Sequence, residues 1–299
     1  MPKKILITGG RGFIGSKLTE ALTKLGDDCE TFDMVNGQDL RNPGQVAEFV
    51  RGKKCVFHLA AVADLNWARA HPEETMDINV QGTWNVAYAC NLCKARLYYA
   101  STCCVYGHQI NHPTDEMALP NPAEIYACSK LAGENVIKGF HHTYGLEYNF
   151  MRFATIYGEG TRPALGTHIF FGQALRGEPI TVHGKGEQTR TLTHVDDLVS
   201  AIVSLYKSGN VNDVWNMSNT EEISALKMAQ DIKEITGSNS PILHLPQRIG
   251  QTMKEVINAD KIQIETGWKP KITWQEGLER MYKWYLGTGQ VHNLYKMPE

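Results

Sequence analysis

Lys4-Ile5-Leu6-Ile7-Thr8-Gly9-Gly10-Arg11-Gly12-Phe13-Ile14-Gly15 is the stretch that decides the fold. Lys4 to Thr8 is a short apolar run and reads as a buried parallel strand. From Gly12 to Leu25 the period changes, and Phe13, Ile14, Leu18, Ala21, Leu22 and Leu25 fall on one face of a helix. Between the two, Gly9, Gly12 and Gly15 permit a tight turn, let main-chain N–H groups approach an anion at the positive helix end, and let the helix pack closely on the sheet. Strand, glycine-rich turn and helix in that order are the setting of a dinucleotide-binding fingerprint.

A second apolar strand, Cys29 to Phe32, ends at Asp33. The fingerprint expects an acid here to accept from the adenosine 2′-hydroxyl, and a carboxylate also repels a 2′-phosphate. Asp33 therefore favours NAD over NADP. Arg11, inside the loop, argues the other way, because a guanidinium there could reach a 2′-phosphate. NAD is the expected cofactor.

Further strands follow at Cys55 to Leu59, Leu97 to Ser101 and Tyr148 to Phe153, with helical runs near 72–94 and 124–144 between them. Such alternation means an α/β protein built on a Rossmann-type, doubly wound parallel sheet. After about residue 155 the pattern loosens into Gly- and Pro-punctuated segments. We expect residues 1–154 to bind the cofactor and 155–299 to form a smaller C-terminal substrate-binding lobe, with a segment near 189–218 returning to the first unit.

The 299 residues suffice for such an arrangement, and a formal charge of −2 offers no basic footprint for nucleic acid. No apolar stretch approaches membrane-spanning length, and Met1-Pro2-Lys3-Lys4 runs straight into a strand rather than a signal peptide, so a cytoplasmic protein is expected. Seven cysteines, an odd number in mostly apolar surroundings, read as reduced core thiols. Cys90 and Cys93 have metal-like spacing, but no second pair or His cluster with ligand spacing follows, and no metal is expected.

Tyr126-Ala127-Cys128-Ser129-Lys130 opens the second helical run. Removing hydride from an alcohol carbon requires a base for the hydroxyl proton, and an ordinary tyrosine near pKa 10 is too weakly ionised at neutral pH. Lys130, four residues on along a helix, lies beside Tyr126, and its charge, added to that of an oxidised nicotinamide, favours the phenolate.

Taken with the motifs that follow, the chain resembles extended short-chain dehydrogenase/reductases of the NAD-dependent nucleotide-sugar epimerase and dehydratase family, such as the UDP-glucose 4-epimerases. The resemblance runs nearly end to end. It rests on the glycine loop, the Tyr126 and Lys130 pair, Asp39-Leu40, His58-Leu59-Ala60-Ala61, Asn79-Val80-Gln81-Gly82-Thr83, Ser101-Thr102-Cys103-Cys104-Val105-Tyr106-Gly107 and His194-Val195-Asp196-Asp197-Leu198. It implies that Gly9, Gly12, Phe13, Ile14, Gly15, Asp33, Asp39, Leu40, Leu59, Ala60, Ala61, Asn79, Tyr126 and Lys130 bind the cofactor. It implies catalysis by Thr102, Tyr126 and Lys130, Thr102 hydrogen-bonding the reacting oxygen. Arg190 and Arg248 match arginines that grip nucleotide phosphates, a task suited to a bidentate cation. Thr155 stands where many relatives carry Asn, and with Thr102 it is expected on the substrate side.

The resemblance also frames the reaction. Dehydratases usually follow the threonine with Asp-Glu, and decarboxylases retain the Glu, whereas this chain has Cys103 and Cys104. The absence of an acid there favours 4-epimerisation of a nucleotide sugar, UDP-linked by expectation. Three alternatives stay open: a 3,5-epimerase or epimerase-reductase using Cys104 and His168 for proton shuttling, a 4,6-dehydratase using other acids, and a non-catalytic NAD(P) sensor or scaffold on the same fold. Sensors typically lose the Tyr-Lys pair. Relatives dimerise through two helices that here carry Trp84, Val86, Tyr88, Leu131 and Ile137, so a homodimer is implied. Arg69 could meet a substrate carboxylate, though it reads as an exposed helix residue.

Overall fold

The computed structural model of the chain describes residues 2–247 and 252–288. Among the described residues twelve strands run in chain order as β1 (Lys4–Thr8), β2 (Asp28–Phe32), β3 (Cys55–His58), β4 (Arg96–Thr102), β5 (Tyr148–Phe153), β6 (Thr155–Tyr157), β7 (Ile180–His183), β8 (Thr189–His194), β9 (Asp213–Met217), β10 (Glu222–Ser224), β11 (Ile242–Leu245) and β12 (Lys254–Glu255). Six of them form one sheet in the order β2-β1-β3-β4-β5-β9, every neighbouring pair parallel. The chain departs from β1 in both directions across the sheet, which opens a crevice beyond the carboxyl ends of β1 and β3.

Both faces of this sheet are covered, as apolar runs without alternation require. Ile5, Ile7 and Phe57 point to one face and pack with Leu18 and Leu22 of helix Phe13–Lys24 and with Leu198, Ile202 and Leu205 of helix Val195–Ser208. Leu6 and Val56, one residue out of phase, point to the other face, among Val46 and Val50 of helix Pro43–Val50, Val86 and Cys90 of helix Gly82–Cys93, and Ile137 and Phe140 of helix Ile125–Tyr144. The period of two in a strand makes this split obligatory. Each fully buried Leu, Ile or Phe contributes about 1.5–3 kcal/mol.

The expected helix over 72–94 is interrupted. Pro72–Met76 and Gly82–Cys93 are joined by a π-helical turn, Asp77–Gln81. Single π turns widen a helix locally to re-aim side chains. Here the turn carries Asn79, which is buried at 1 % exposure.

β6, β8, β10 and β12 form a second sheet, and β7 pairs with β11 in a third. Around them a separate core gathers Phe170, Phe171, Ile180, Ile223, Ile232, Trp274 and Tyr285. Within the segment near 189–218, β9 joins the main sheet and helix Val195–Ser208 packs on it, while β8 joins the second sheet. The two sheets are cross-tied through Asp196, whose carboxylate pairs with Lys17 of the first helix at 3.0 Å and with Arg280 of helix Trp274–Thr288.

Trp84 and Tyr88 lie on the outer face of helix Gly82–Cys93 at 40 % and 44 % exposure, their rings stacked with centroids 5.2 Å apart. Leu131 is half-buried, and Val86 and Ile137 are fully buried against the sheet, so those two residues are not free to meet a partner. Cys90 also lies in the core, where burial pushes its thiol up. Among the described residues no helix is long and apolar enough to cross a membrane.

Candidate active site

The glycine loop is shaped by two close approaches. Gly9 has φ +69°, and a Cβ there would lie 2.8 Å from the Ala60 nitrogen at the end of β3. A Cβ on Gly15 would sit 2.0 Å from the Gly9 carbonyl oxygen. Only glycine allows both contacts. Helix Phe13–Lys24 begins at Gly12 with no side chain capping it, so its first N–H groups stay available to an anion. This cradle of backbone fits a pyrophosphate. Phe13 and Ile14 anchor the helix start on the sheet core, and Phe13 faces Gly160 of the second lobe.

Asp33 follows β2, and its carboxylate accepts from the N–H groups of Arg11 at 2.9 Å and Val35 at 3.2 Å. Its backbone partners set the carboxylate at the rim of the loop, consistent with an NAD-type ribose contact. Leu40 is buried in the core beneath Gly82, and its carbonyl accepts from Asn85 at 2.8 Å. The Asp39 carboxylate is forked onto Arg41 at 2.6–3.0 Å, and that hydrogen bond keeps it below its ordinary pKa.

Below the crevice His58 ties three elements together. Its Nδ1 lies 2.7 Å from the Thr8 hydroxyl and its Nε2 3.1 Å from that of Thr83. Burial, with Lys130 nearby, lowers its pKa to about 3, so it is a neutral linchpin. The Thr8 hydroxyl also accepts from the Ala60 N–H at 3.2 Å, which fixes Leu59, Ala60 and Ala61 against the glycine loop. Sequence reading missed His58 as a site residue; the flanking threonines are close only after folding.

Asn79 receives the Val62 N–H at 2.8 Å and donates to the Val62 carbonyl at 3.0 Å and to the Ser129 hydroxyl at 2.9 Å. Both amide protons are thereby used. Ser129 in turn donates to the Tyr126 carbonyl at 2.7 Å. The expected cofactor residue thus clamps the loop after β3 to the helix that carries Tyr126 and Lys130.

Thr102 ends β4, where its hydroxyl accepts from the Cys104 N–H at 3.2 Å. Tyr126 lies in the first turn of helix Ile125–Tyr144 and Lys130 one turn on, buried, with its Nζ 4.4 Å from the centre of the Tyr99 ring. Burial drives the Lys130 ammonium down to about 7, against a smaller opposing pull from Glu134. Burial pushes the Tyr126 phenol up, Cys104 adds to this, and Arg162 and a hydrogen bond with Thr102 act in the other direction. The phenol is therefore raised, not lowered as the Tyr126–Lys130 spacing alone suggests, because desolvation outweighs Arg162 and the Thr102 hydrogen bond. Arg162, in the Gly- and Pro-rich segment after β6, escaped the sequence reading; it donates to the Ala63 carbonyl.

Helix Ile125–Tyr144 is held against β4 and β5 by a buried ion pair. Arg152 donates to both Glu134 oxygens at 2.9 and 2.7 Å, Ser101 donates to Glu134 at 2.6 Å, and the guanidinium lies over the Tyr106 ring at 4.8 Å. Nothing in the sequence pattern links these four residues.

Cys103 is buried and donates to the Arg152 carbonyl at 3.3 Å. Burial, reinforced by Glu255, pushes the Cys104 thiol up to about 12. His168 lies elsewhere, in the core of the second lobe, with its Nδ1 2.7 Å from the Tyr285 hydroxyl and its pKa lowered by burial to about 4. Thr155 starts β6 opposite Leu192 of β8. Arg190 of β8 donates to the carbonyls of Thr189 at 2.7 Å and Thr252 at 2.8 Å, and its Nε lies 3.6 Å from Glu255 of β12. Arg69 is exposed and faces Glu124 at 3.5 Å. Arg248 lies outside the described residues. The segment after Thr102 does lack an acid, but β12 brings Glu255, 151 positions beyond Cys104, close enough to act on that thiol, which local sequence could not reveal.

A model of the NAD dependent epimerase/dehydratase family matches residues 5–218. The chain belongs to that family. Its members are NAD-dependent nucleotide-sugar epimerases, dehydratases and decarboxylases of the short-chain dehydrogenase/reductase type, and NAD is the cofactor. The chain is 32 % identical over 95 % of its length to UDP-glucuronic acid decarboxylase 1 of Danio rerio, covering 72 % of that protein. It superimposes on the UDP-glucose 4-epimerase of Thermotoga maritima, solved with UDP-glucose, with a TM-score of 0.91 at 27 % identity, covering 95 % of this chain and 99 % of that one. The Thermus thermophilus UDP-glucose 4-epimerase, solved with NAD, matches over 95 % of this chain and 99 % of its own with a TM-score of 0.87 at 26 % identity.

Proposed function

We propose that the protein is a nucleotide-sugar 4-epimerase acting on a UDP-hexose, with Thr102, Tyr126 and Lys130 at the reacting carbon. The observation that carries this reading is that the carboxyl end of β4 brings Thr102 to Tyr126, with Lys130 one turn on along helix Ile125–Tyr144, in the same parallel sheet whose β1 leads into the Gly9, Gly12 and Gly15 cradle. NAD, when bound, supplies the acceptor and donor of the C4 hydride and, when oxidised, a positive charge. Tyr126 takes the proton of the C4 hydroxyl and later returns it. Lys130 and the Arg162 side favour the phenolate, and Thr102 hydrogen-bonds the reacting oxygen. Asp33, Phe13, Ile14 and Leu59 to Ala61 shape the cofactor site, and Arg190 is the cation proposed to meet the diphosphate.

Loss of water or carbon dioxide, and epimerisation at C3 or C5, need a group beside Thr102 that exchanges protons with carbon. Within the segment that follows Thr102 no group does this: Cys103 is spent on a carbonyl and the Cys104 thiol stays protonated at neutral pH, while His168 is bonded to Tyr285; Glu255, the acid nearest that segment, comes from β12 and faces Arg190, which leaves simple return of the hydride as the favoured reading. The outward face of Trp84, Tyr88, Leu92 and Tyr144 supports the proposal of a homodimer formed through helices Gly82–Cys93 and Ile125–Tyr144.

Proton NMR in D₂O, with a panel of UDP- and GDP-sugars and no added cofactor, tests the reaction. A C4-inverted product free of ring deuterium is expected. Deuterium at C3 or C5, or a 4-keto-6-deoxy product, would overturn it. Tyr126→Phe is expected to abolish turnover while the protein still binds NAD; unchanged turnover would remove Tyr126 from the mechanism.

A further inference from the structure

β12 runs parallel to β8 with Glu255 opposite Arg190. Two residues on, and so on the same side of an extended chain, Ile257 packs into the small core of Cys103, Val105 and Tyr106 behind Thr102. β12 is locked there by reciprocal main-chain bonds: Thr114 donates to the Val256 carbonyl at 2.8 Å, and Asn258 donates to the Thr114 carbonyl at 2.8 Å. The backbone that follows Glu255 is therefore held beside the Cys103-to-Tyr106 turn, and the Glu255 carboxylate lies near enough to act on the Cys103 and Cys104 thiols.

Arg190 neutralises this carboxylate only in part. Two guanidinium nitrogens are committed to the carbonyls of Thr189 and Thr252, and the third is 3.6 Å from Glu255, beyond hydrogen-bond length. The Glu255 side chain keeps 17 % of its surface exposed, and among the described residues no hydrogen bond to its carboxylate is made. Burial raises the carboxyl's pKa while Arg190 and His112 pull it back, and its negative charge is felt by the thiols of both Cys103 and Cys104. A second anion beside it would meet a poorly solvated like charge.

We propose that Glu255 makes the sugar site selective for uncharged hexoses, accepting their hydroxyl protons and repelling the carboxylate of hexuronates. This rests on the reading that the sugar lies over Thr102 and Tyr126. It matters because the similar proteins divide on this point: the Danio rerio relative is named for UDP-glucuronic acid, and the Thermotoga maritima structure holds UDP-glucose. Two unit charges about 5 Å apart at an interior effective dielectric near 20 change affinity by about 10- to 100-fold after partial screening by Arg190.

Calorimetric titration of the NAD-loaded protein with UDP, UDP-glucose and UDP-glucuronate reads this without requiring turnover. The wild type is expected to bind UDP-glucose at least tenfold more tightly than UDP-glucuronate. Glu255→Gln should shrink that ratio by about tenfold or more while the affinity for UDP itself changes less than threefold, and Glu255→Asp should retain most of the preference. Equal or tighter binding of UDP-glucuronate by the wild type overturns the proposal, and this arm needs no variant to fold. So does an unchanged ratio in Glu255→Gln, or an equal gain for UDP alone, which would place Glu255 against the diphosphate. If both sugars bind with the expected ratio but the NMR panel shows no C4 inversion, the 4-epimerase reading fails and the selectivity stands.

Discussion

Lys130 is the residue whose replacement separates its chemical use from its structural cost. Burial lowers its pKa from 10.5 to about 7. The unfolded chain holds this proton up to about 10.5, while the folded chain releases it above about 7. Below 7 both states carry the charge and the full penalty of burying it is present. Between the two values the unfolded state binds more protons, so stability rises with pH. The penalty at pH 6 is about 5 kcal/mol, and Lys130→Met removes it. The same change forfeits the contact of the ammonium with the Tyr99 ring, 4.4 Å away, worth about 0.5–2 kcal/mol. The Lys130→Met protein is therefore expected to be more stable than the wild type by about 3–4.5 kcal/mol at pH 6, and that advantage should shrink by about 2–3 kcal/mol by pH 9. Urea denaturation of both proteins at pH 6, 7.5 and 9 measures this. Turnover of the variant should meanwhile fall by about 10²- to 10⁴-fold. A variant less stable than the wild type at pH 6, or a difference that does not change with pH, would refute the reasoning.

Gly15→Ala puts a Cβ 2.0 Å from the Gly9 carbonyl oxygen; NAD affinity measured by fluorescence should drop more than tenfold, with a stability loss of about 1–3 kcal/mol, and near-native NAD binding would show that the loop can yield. Glu134→Gln leaves Arg152 buried without its counter-charge and should cost about 3–5 kcal/mol by urea denaturation, whereas a loss under 1 kcal/mol would mean that water reaches the pair. The double variant Trp84→Glu with Tyr88→Ser should convert a dimeric wild type into a monomer by sedimentation velocity, while a wild type that is already monomeric at micromolar concentration removes this interface.

Much of the cofactor half is legible in the chain because its determinants are local. Lys4 to Gly15 contains a strand, its turn and the start of its helix within twelve positions, and Asp33 follows at the end of the next strand. Each feature is fixed by period, by the lack of a Cβ, or by the placing of one acid after one apolar run. The same holds for Tyr126 and Lys130, which one helical turn brings side by side. The π turn at Asp77–Gln81 was not legible, since its reason for existing is the reach of Asn79 to Val62 and Ser129, and those partners are 17 and 50 positions away.

By itself, the sequence determined the first five strands of the main sheet, the glycine cradle, the Tyr126 and Lys130 pair and thereby the family. Only the tertiary structure decided the electrical character of the site. Burial, which no single residue encodes, lowers Lys130, raises Tyr126 and Cys104 and keeps His58 neutral. Sheet register sets Glu255 beside Arg190, and helix packing closes Glu134 onto Arg152. Desolvation and long-range pairing depend on which distant segments share a neighbourhood, and that is settled when the two cores close around one sheet.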